Sequence, residues 1–184
     1  METIRVKDLM TSFEGYPRVD EDASLYEAVQ ALEEGRQRLD GKGHRFMAVL
    51  VCDRSGNVIG KLNRMDILTC LEPEYLTNEE LRKVSRFGLT PEFLHSMLDN
   101  YDLWKAPLLD ICKKCLDHKV GEFIAHQSSE VYIDEEVSLS KAIHHLIMKR
   151  CQALVVTSRG EAVGLLRLVD VFDQVVAKMK ACKI

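Results

Sequence analysis

The sequence predicts an α/β (α+β) protein, two copies of one strand-helix-strand-strand-helix unit with a helical insert between them. Two observations carry that prediction. First, residues 47–70 and 151–173 follow one pattern: an apolar run, a polar turn with glycine, a second short apolar run, then a helix that opens with an aspartate. At a spacing of 104 residues Gly56 falls on Gly160, Gly60 on Gly164 and Asp66 on Asp170. Second, the match continues upstream at a spacing of 114, where residues 6–10 fall on 120–124 and residues 19–25 on 133–139. A repeat of this length decides the architecture before any local signal does. The two spacings differ by ten, so the first copy carries about ten extra residues near 35–44. The chain divides into a first unit (1–71), a helical insert (72–119) and a second unit (120–184).

Taken in order, residues 6–10 read as a single helical turn, and Tyr16-Pro17 starts a brief extended piece because proline biases its predecessor away from the helical region. Ser24 with Glu27 three residues on forms a capping box, and Leu25, Ala28, Val29 and Leu32 recur at helical spacing to about Arg38. Residues 40–44 (Asp-Gly-Lys-Gly-His) read as a loop. Residues 46–52 are an almost unbroken apolar run, the signature of a strand buried on both faces. The Asp53-Arg-Ser-Gly56 turn returns residues 57–62 as its antiparallel partner, and a closing helix begins at Arg64. In the insert, Thr77 with Glu80 is a second capping box, Gly88 suits a helix end, Thr90-Pro91 opens a stripe that reaches Trp104, and Pro107 starts a third helix. The second unit repeats the first. Residues 130–133 are extended, Ser138 caps a helix that turns Leu139, Ala142, Ile143 and Leu146 inward, residues 153–157 and 161–166 form the hairpin, and residues 169–179 close the unit.

The chain has 184 residues, 46% hydrophobic and 29% charged, with a formal net charge of −4. That balance is ordinary for a globular protein and gives no electrostatic reason to expect nucleic acid as a partner. No run of 18 apolar residues occurs, so no membrane span is expected. The start of the chain lacks a signal-peptide core, and six scattered cysteines read as reduced thiols, which together predict a cytoplasmic protein. Cys112 and Cys115 form a Cys-x-x-Cys with His118 beyond it, but no second pair completes a metal site, and the surrounding leucines favour two buried thiols in a core. No phosphate loop, nucleophile elbow or HExxH helix is present, so no catalytic residues are assigned and an enzyme is not expected.

The repeated order, apolar-Asp-Glu-x-x-Ser-Leu, then an apolar strand, then Gly-x-apolar-Gly followed by an aspartate, resembles the cystathionine-beta-synthase (CBS) domain, and two in tandem resemble a CBS pair, or Bateman module. The resemblance covers about two thirds of the chain. It implies two units packed sheet against sheet around a pseudo-two-fold axis, with two clefts that in the family take AMP, ADP, ATP or S-adenosylmethionine. It also implies a regulatory role and a homodimer, for which the apolar insert is an independent reason. With no effector domain read in the sequence, the signal is expected to pass to an effector protein.

The family's binding motif, Gly-apolar-x-Thr/Ser-x-x-Asp, lies on the step from the last strand into the last helix. A helix N-terminus there offers unpaired N–H groups and partial positive charge to phosphate, and an aspartate one turn in can accept both ribose hydroxyls. Carried over, the ribose acceptors are Asp66 and Asp170. The Thr/Ser position is Asn63 in the first copy and Arg167 in the second, both departures. Asparagine can still donate to phosphate, whereas arginine can either bind phosphate or fill the cleft. Lys61 and Arg64 add positive charge beside the first cleft. The resemblance places adenine near Thr11 and Tyr16 in one copy and near His126 and Val131 in the other. Beside these stand plainer roles: either aspartate as a helix-start charge, Asn63 as a cap and Arg167 as half of an ion pair. The alternative function is a ligand-free scaffold or dimerisation module whose insert docks a partner.

Overall fold

The computed structural model describes residues 3–71, 108–125 and 132–181. The insert readings at Thr77, Gly88, Thr90 and Trp104, and the positions of His126 and Val131, lie outside these residues. The first unit contains β2 (Arg18–Asp20), α1 (Leu25–Gln37), β3 (Ala48–Cys52), β4 (Val58–Asn63) and α2 (Arg64–Leu71), preceded by a 3-10 turn (Val6–Asp8) and a two-residue strand β1 (Thr11–Ser12). Two helices, α3 (Leu108–Asp117) and α4 (Val120–Ala125), lead to the second unit: β5 (Tyr132–Asp134), α5 (Leu139–Lys149), β6 (Ala153–Ser158), β7 (Glu161–Arg167) and α6 (Leu168–Ala181). Among the described residues no helix is long and apolar enough to cross a membrane.

The sheet orders are β2-β3-β4 and β1-β7-β6-β5. In each unit the first strand runs parallel to the central one and the hairpin is antiparallel. Ser24 and Glu27 close the expected capping box on α1, with Glu27 N–H donating to Ser24 Oγ at 3.2 Å and Ser24 N–H to Glu27 Oε2 at 2.7 Å. Gly56 and Gly160 both sit at positive φ in the hairpin turns, the conformation glycine adopts without steric cost.

Alternation along the central strands explains why both read as unbroken apolar runs. Val49 and Val51 of β3 face the first unit's helices, while Leu50 faces the other sheet. Leu154 and Val156 of β6 face α5, while Val155 meets Leu50. Tyr16, Phe46 and Leu165 complete this inter-sheet layer, so the two units share a core.

The repeat's sequence boundaries and its packing boundaries differ. Val6 is fully buried in the second unit's core, and Val120 and Ile124 are buried in the first's. The exchange is reciprocal in its hydrogen bonds: Val6 N–H donates to Val137 O and Val120 N–H to Ala23 O, each at 2.9 Å, while Leu139 N–H donates to Ile4 O and Leu25 N–H to His118 O. Strand β1 likewise pairs with β7 of the second unit. Gly164 and Gly60 permit this crossing. A Cβ at Gly164 would stand 2.6 Å from the Thr11 carbonyl oxygen, and one at Gly60 would stand 2.8 Å from Ile124.

Helix α3 packs on the first unit, where Ile111 and Cys115 contact its core and Lys114 Nζ donates to Leu71 O at 3.1 Å, closing the end of α2. The expectation of two buried thiols is not met, since Cys115 is only partly buried. Cys115 is turned inward, whereas Cys112 is exposed, because α3 covers the core with a single stripe. Among the described residues no cluster of metal-ligating side chains forms.

Candidate ligand cleft at the two strand-to-helix steps

In both units the last strand runs into the last helix without an intervening loop, so the side chains of the motif are held by regular backbone on both sides. In the first unit Asn63 N–H donates to Asp66 Oδ2 at 2.7 Å and Asp66 N–H to Asn63 Oδ1 at 3.0 Å. This reciprocal pair caps α2. Burial pushes the Asp66 carboxyl above its usual range, against the opposing pull of the Lys61 charge and the Asn63 N–H. Lys61 itself is only 4% exposed. Arg64 is exposed, with Nη2 at 3.6 Å from Met47 Sδ. Thr11 lies on β1 against the second unit, its hydroxyl donating to Leu165 O at 3.3 Å.

The second unit makes a different arrangement from the same backbone. Arg167 and Asp170 are both buried and pair in bidentate fashion, Nε to Oδ2 at 2.5 Å and Nη2 to Oδ1 at 2.8 Å. The loop at 40–44, the first unit's extra length, reaches across to them. Asp40 Oδ2 stands 2.6 Å from Arg167 Nη1, Lys42 Nζ donates to Asp170 Oδ1 at 3.1 Å, and His44 Nδ1 lies 3.5 Å from Arg167 Nη2. Burial acts to raise the Asp170 carboxyl, but the Arg167 and Lys42 donors outweigh it and hold the group below its ordinary value. Asp40 is lowered in the same way, its burial overcome by the His44 and Lys42 backbone N–H groups and by Arg167. Matched aspartates are therefore shifted in opposite directions.

Between the two steps lies a cavity of about 410 Å³, walled by both units. Lys61 and Asn63 come from the end of β4, Arg167 and Phe172 from the end of β7 and the start of α6, and Tyr16 and Arg45 from the segments flanking the first unit's helix. The remaining wall is mostly apolar, with Met47, Leu165 and Val169 among it. Such a lining, with a few cationic heads at its edge, suits a planar apolar body carrying negative charge. Lys61, Asn63 and Arg167 are thus brought to one cavity. Asp66, Asp170, Arg64 and Thr11 are not among the residues that line it. The sequence reading did not assign Asp40, Lys42, His44, Arg45 or Phe172. The ten extra residues of the first copy were the available signal for the loop.

A CBS domain profile matches residues 6–73 and 107–177, covering most of the chain in two segments. No curated protein matches. Among solved structures, a CBS domain-containing protein of unknown function from Bacillus anthracis str. Ames Ancestor superposes with a TM-score of 0.61 at 17% identity, covering 96% of each chain. CBSX2, known from Arabidopsis thaliana, superposes in its complex with AMP with a TM-score of 0.56 at 17% identity, over 95% of this chain and 98% of that one. The CBS domain of a bacterial CNNM/CorC family Mg2+ transporter in complex with ATP gives 0.55 at 16% identity, over 95% and 89%. At these identities the likeness is one of fold. With its doubled unit, its two matched strand-to-helix steps and the profile match over both copies, the chain belongs to the CBS domain family as a tandem pair.

Proposed function

We propose that this protein is a regulatory sensor of an adenosine nucleotide (AMP, ADP, ATP or S-adenosylmethionine) in the cytoplasm. The ligand would occupy the cavity between the two units and alter the contact made with an effector protein. The observation that carries the reading is the shared cavity, in which Lys61 and Asn63 of one step face the same space as Arg167 of the other. AMP and ATP are bound by two proteins of this fold. The cationic heads suit phosphate, and the aromatic and aliphatic wall suits a purine.

Thermal unfolding with AMP, ADP, ATP, S-adenosylmethionine and GTP in parallel tests this. A ligand at ~100 times its Kd adds about 2.7 kcal/mol of stability. The expected result is a raised midpoint with an adenosine compound, a smaller one with GTP, and loss of the shift in Lys61→Met. A midpoint that no compound moves would overturn the reading.

One observation favours the scaffold reading instead. The motif side chains already satisfy one another, Asn63 with Asp66 and Arg167 with Asp170. Either reading accommodates a homodimer. Met65 and Leu68 on α2 are exposed, and so are Val169 and Phe172, their counterparts on α6 at the repeat spacing of 104. A patch that the repeat itself duplicates is suited to self-association about a two-fold axis. Sedimentation of the protein and of Leu68→Glu/Phe172→Glu decides it: a dimer that the double variant converts to monomer supports the interface.

A further inference from the structure

The loop at 40–44 belongs to the first unit, yet its polar atoms are spent on the second unit's strand-to-helix step. It is a self-bonded turn. Asp40 Oδ1 accepts from the Lys42 and His44 N–H groups at 2.9 and 2.8 Å, Gly43 N–H donates to Asp40 O at 3.0 Å, and Gly43 sits at φ +80°. The turn leaves one carboxylate oxygen and one ammonium to project onto Arg167 and Asp170. A carboxylate on a guanidinium and a cationic donor on a buried aspartate are the contacts that a phosphate and a hydroxyl or amine of a ligand would make there. The second copy lacks the ten extra residues that form this loop in the first.

We infer that the 40–44 loop is an internal occupant of the second unit's step, and that an anionic ligand entering the shared cavity competes with Asp40 for Arg167 and releases the loop. The inference rests on the nucleotide reading and adds to it a route from binding to output. Arg167 is the link, because it lines the cavity and holds the loop at once. The contact to be broken is one of two carboxylates on the guanidinium. Asp170 engages Nε and Nη2, and Asp40 Oδ2 stands 2.6 Å from Nη1, so a phosphate oxygen can take the place of Asp40 at Nη1 while the Asp170 pair stays. Gly41, Lys42 and Gly43 are exposed, so release of the loop changes the surface that another protein can read.

The test is calorimetric titration of ATP into the wild-type protein, Asp40→Asn and Lys42→Ala, with amide hydrogen exchange of residues 39–45 measured with and without ATP. Asp40→Asn keeps the oxygen that holds the turn and replaces the competing carboxylate by an amide. It should bind ATP about tenfold more tightly than wild type, the scale of one charge-assisted contact. Saturating ATP should speed exchange of the wild-type Gly43 and His44 amides, which the closed turn protects. Equal or weaker ATP binding by a folded Asp40→Asn, with unchanged exchange in the wild type, overturns it and leaves the nucleotide reading standing. Failure of every form to bind overturns both. Should Asp40→Asn not fold, Lys42→Ala and the wild-type exchange rates decide between the same outcomes.

Discussion

Asp66 and Asp170 occupy the same place in the repeat, and replacing each by asparagine should move stability by different amounts and with different pH dependence. Asp170 loses charge from a buried bidentate pair with Arg167 and from the Lys42 contact, and leaves a buried guanidinium with Asp40 as its remaining anion. Breaking one side of a buried pair costs about 3–5 kcal/mol. Asparagine retains one acceptor oxygen, which places Asp170→Asn near the lower end, about 3 kcal/mol. Because ~1 kcal/mol shifts Tm by about 2–4 °C in a protein of this size, the midpoint should fall by roughly 6–12 °C. Asp66 is held above its ordinary value by burial, so its charged form is worse off in the folded state than in water. Asparagine can still accept from Asn63 N–H, and Asp66→Asn should lie within about 1 kcal/mol of wild type at pH 7, on the stabilising side.

The pH dependence follows from the two directions of shift. The Asp170 contribution is fully present above the unfolded carboxylate value and is lost as pH falls through the lower folded one. The Asp66 penalty is fully present above its raised folded value and is relieved as pH falls through that value toward the unfolded one. Urea unfolding at pH 7 and at pH 4 is the assay. The Asp170→Asn deficit should persist at pH 4, whereas any gain from Asp66→Asn should shrink there. Equal losses for the two variants at pH 7, or an Asp170→Asn cost under about 1 kcal/mol, would refute the assignment of different roles to the two aspartates.

The crossing of the leading segments gives a second test. Gly164→Ala drives a Cβ against the Thr11 backbone carbonyl and should cost about 2–3 kcal/mol, while Gly60→Ala meets the Ile124 side chain and should cost less. An Ile124→Ala background should relieve Gly60→Ala in a double-mutant cycle, because the obstructing atoms are then gone. Arg167→Ala removes the guanidinium from buried Asp170 and from partly buried Asp40, and should unfold the protein more readily than Asp170→Asn does, read as a lower urea midpoint. Among the described cysteines, exposed Cys112 should react first with a thiol reagent. Cys70, whose thiol is pushed up to about 12 by burial and by Asp66, should react only on unfolding, as mass mapping after a short pulse would show.

Much of the fold was legible because its signals are local. The Ser24–Glu27 capping box, the glycine turns at 56 and 160, and the apolar runs of β3 and β6 each depend on residues within one turn or one hairpin. What was not legible depends on which copy a segment meets. Residues 6–10 carry the same pattern as 120–124, so sequence matching alone cannot say that Val6 belongs to the second core and Val120 to the first. Cys112 and Cys115 share a stripe on paper, but only the narrower arc through Ile111 and Cys115 meets the core. At the cleft, the motif arithmetic found the two aspartates and the two departures at Asn63 and Arg167. The fate of Arg167 was hidden because the carboxylate that meets it, Asp40, arrives from a loop more than a hundred residues earlier in the chain.

That loop breaks the symmetry of the pair. A ligand shifts an equilibrium only by its differential affinity for two states, and the two steps, bonded differently, differ in what a ligand has to displace. Here one step ends in a cap that needs no other part of the chain, and the other in an ion network that a distant loop completes. The cavity between them is walled by Tyr16 and Leu165, which also belong to the layer where the two sheets meet. A molecule in that cavity therefore touches the shared core on one side and the loop's anchor, Arg167, on the other. Because Val6 and Val120 stitch each unit into the other's core, a shift in sheet packing at the cavity is carried to both units together. The inferred release of the loop would by contrast be local, at residues 41–43, which are exposed. The two responses are separable by experiment, since Asp40→Asn weakens the loop's hold on Arg167 without touching the sheet layer.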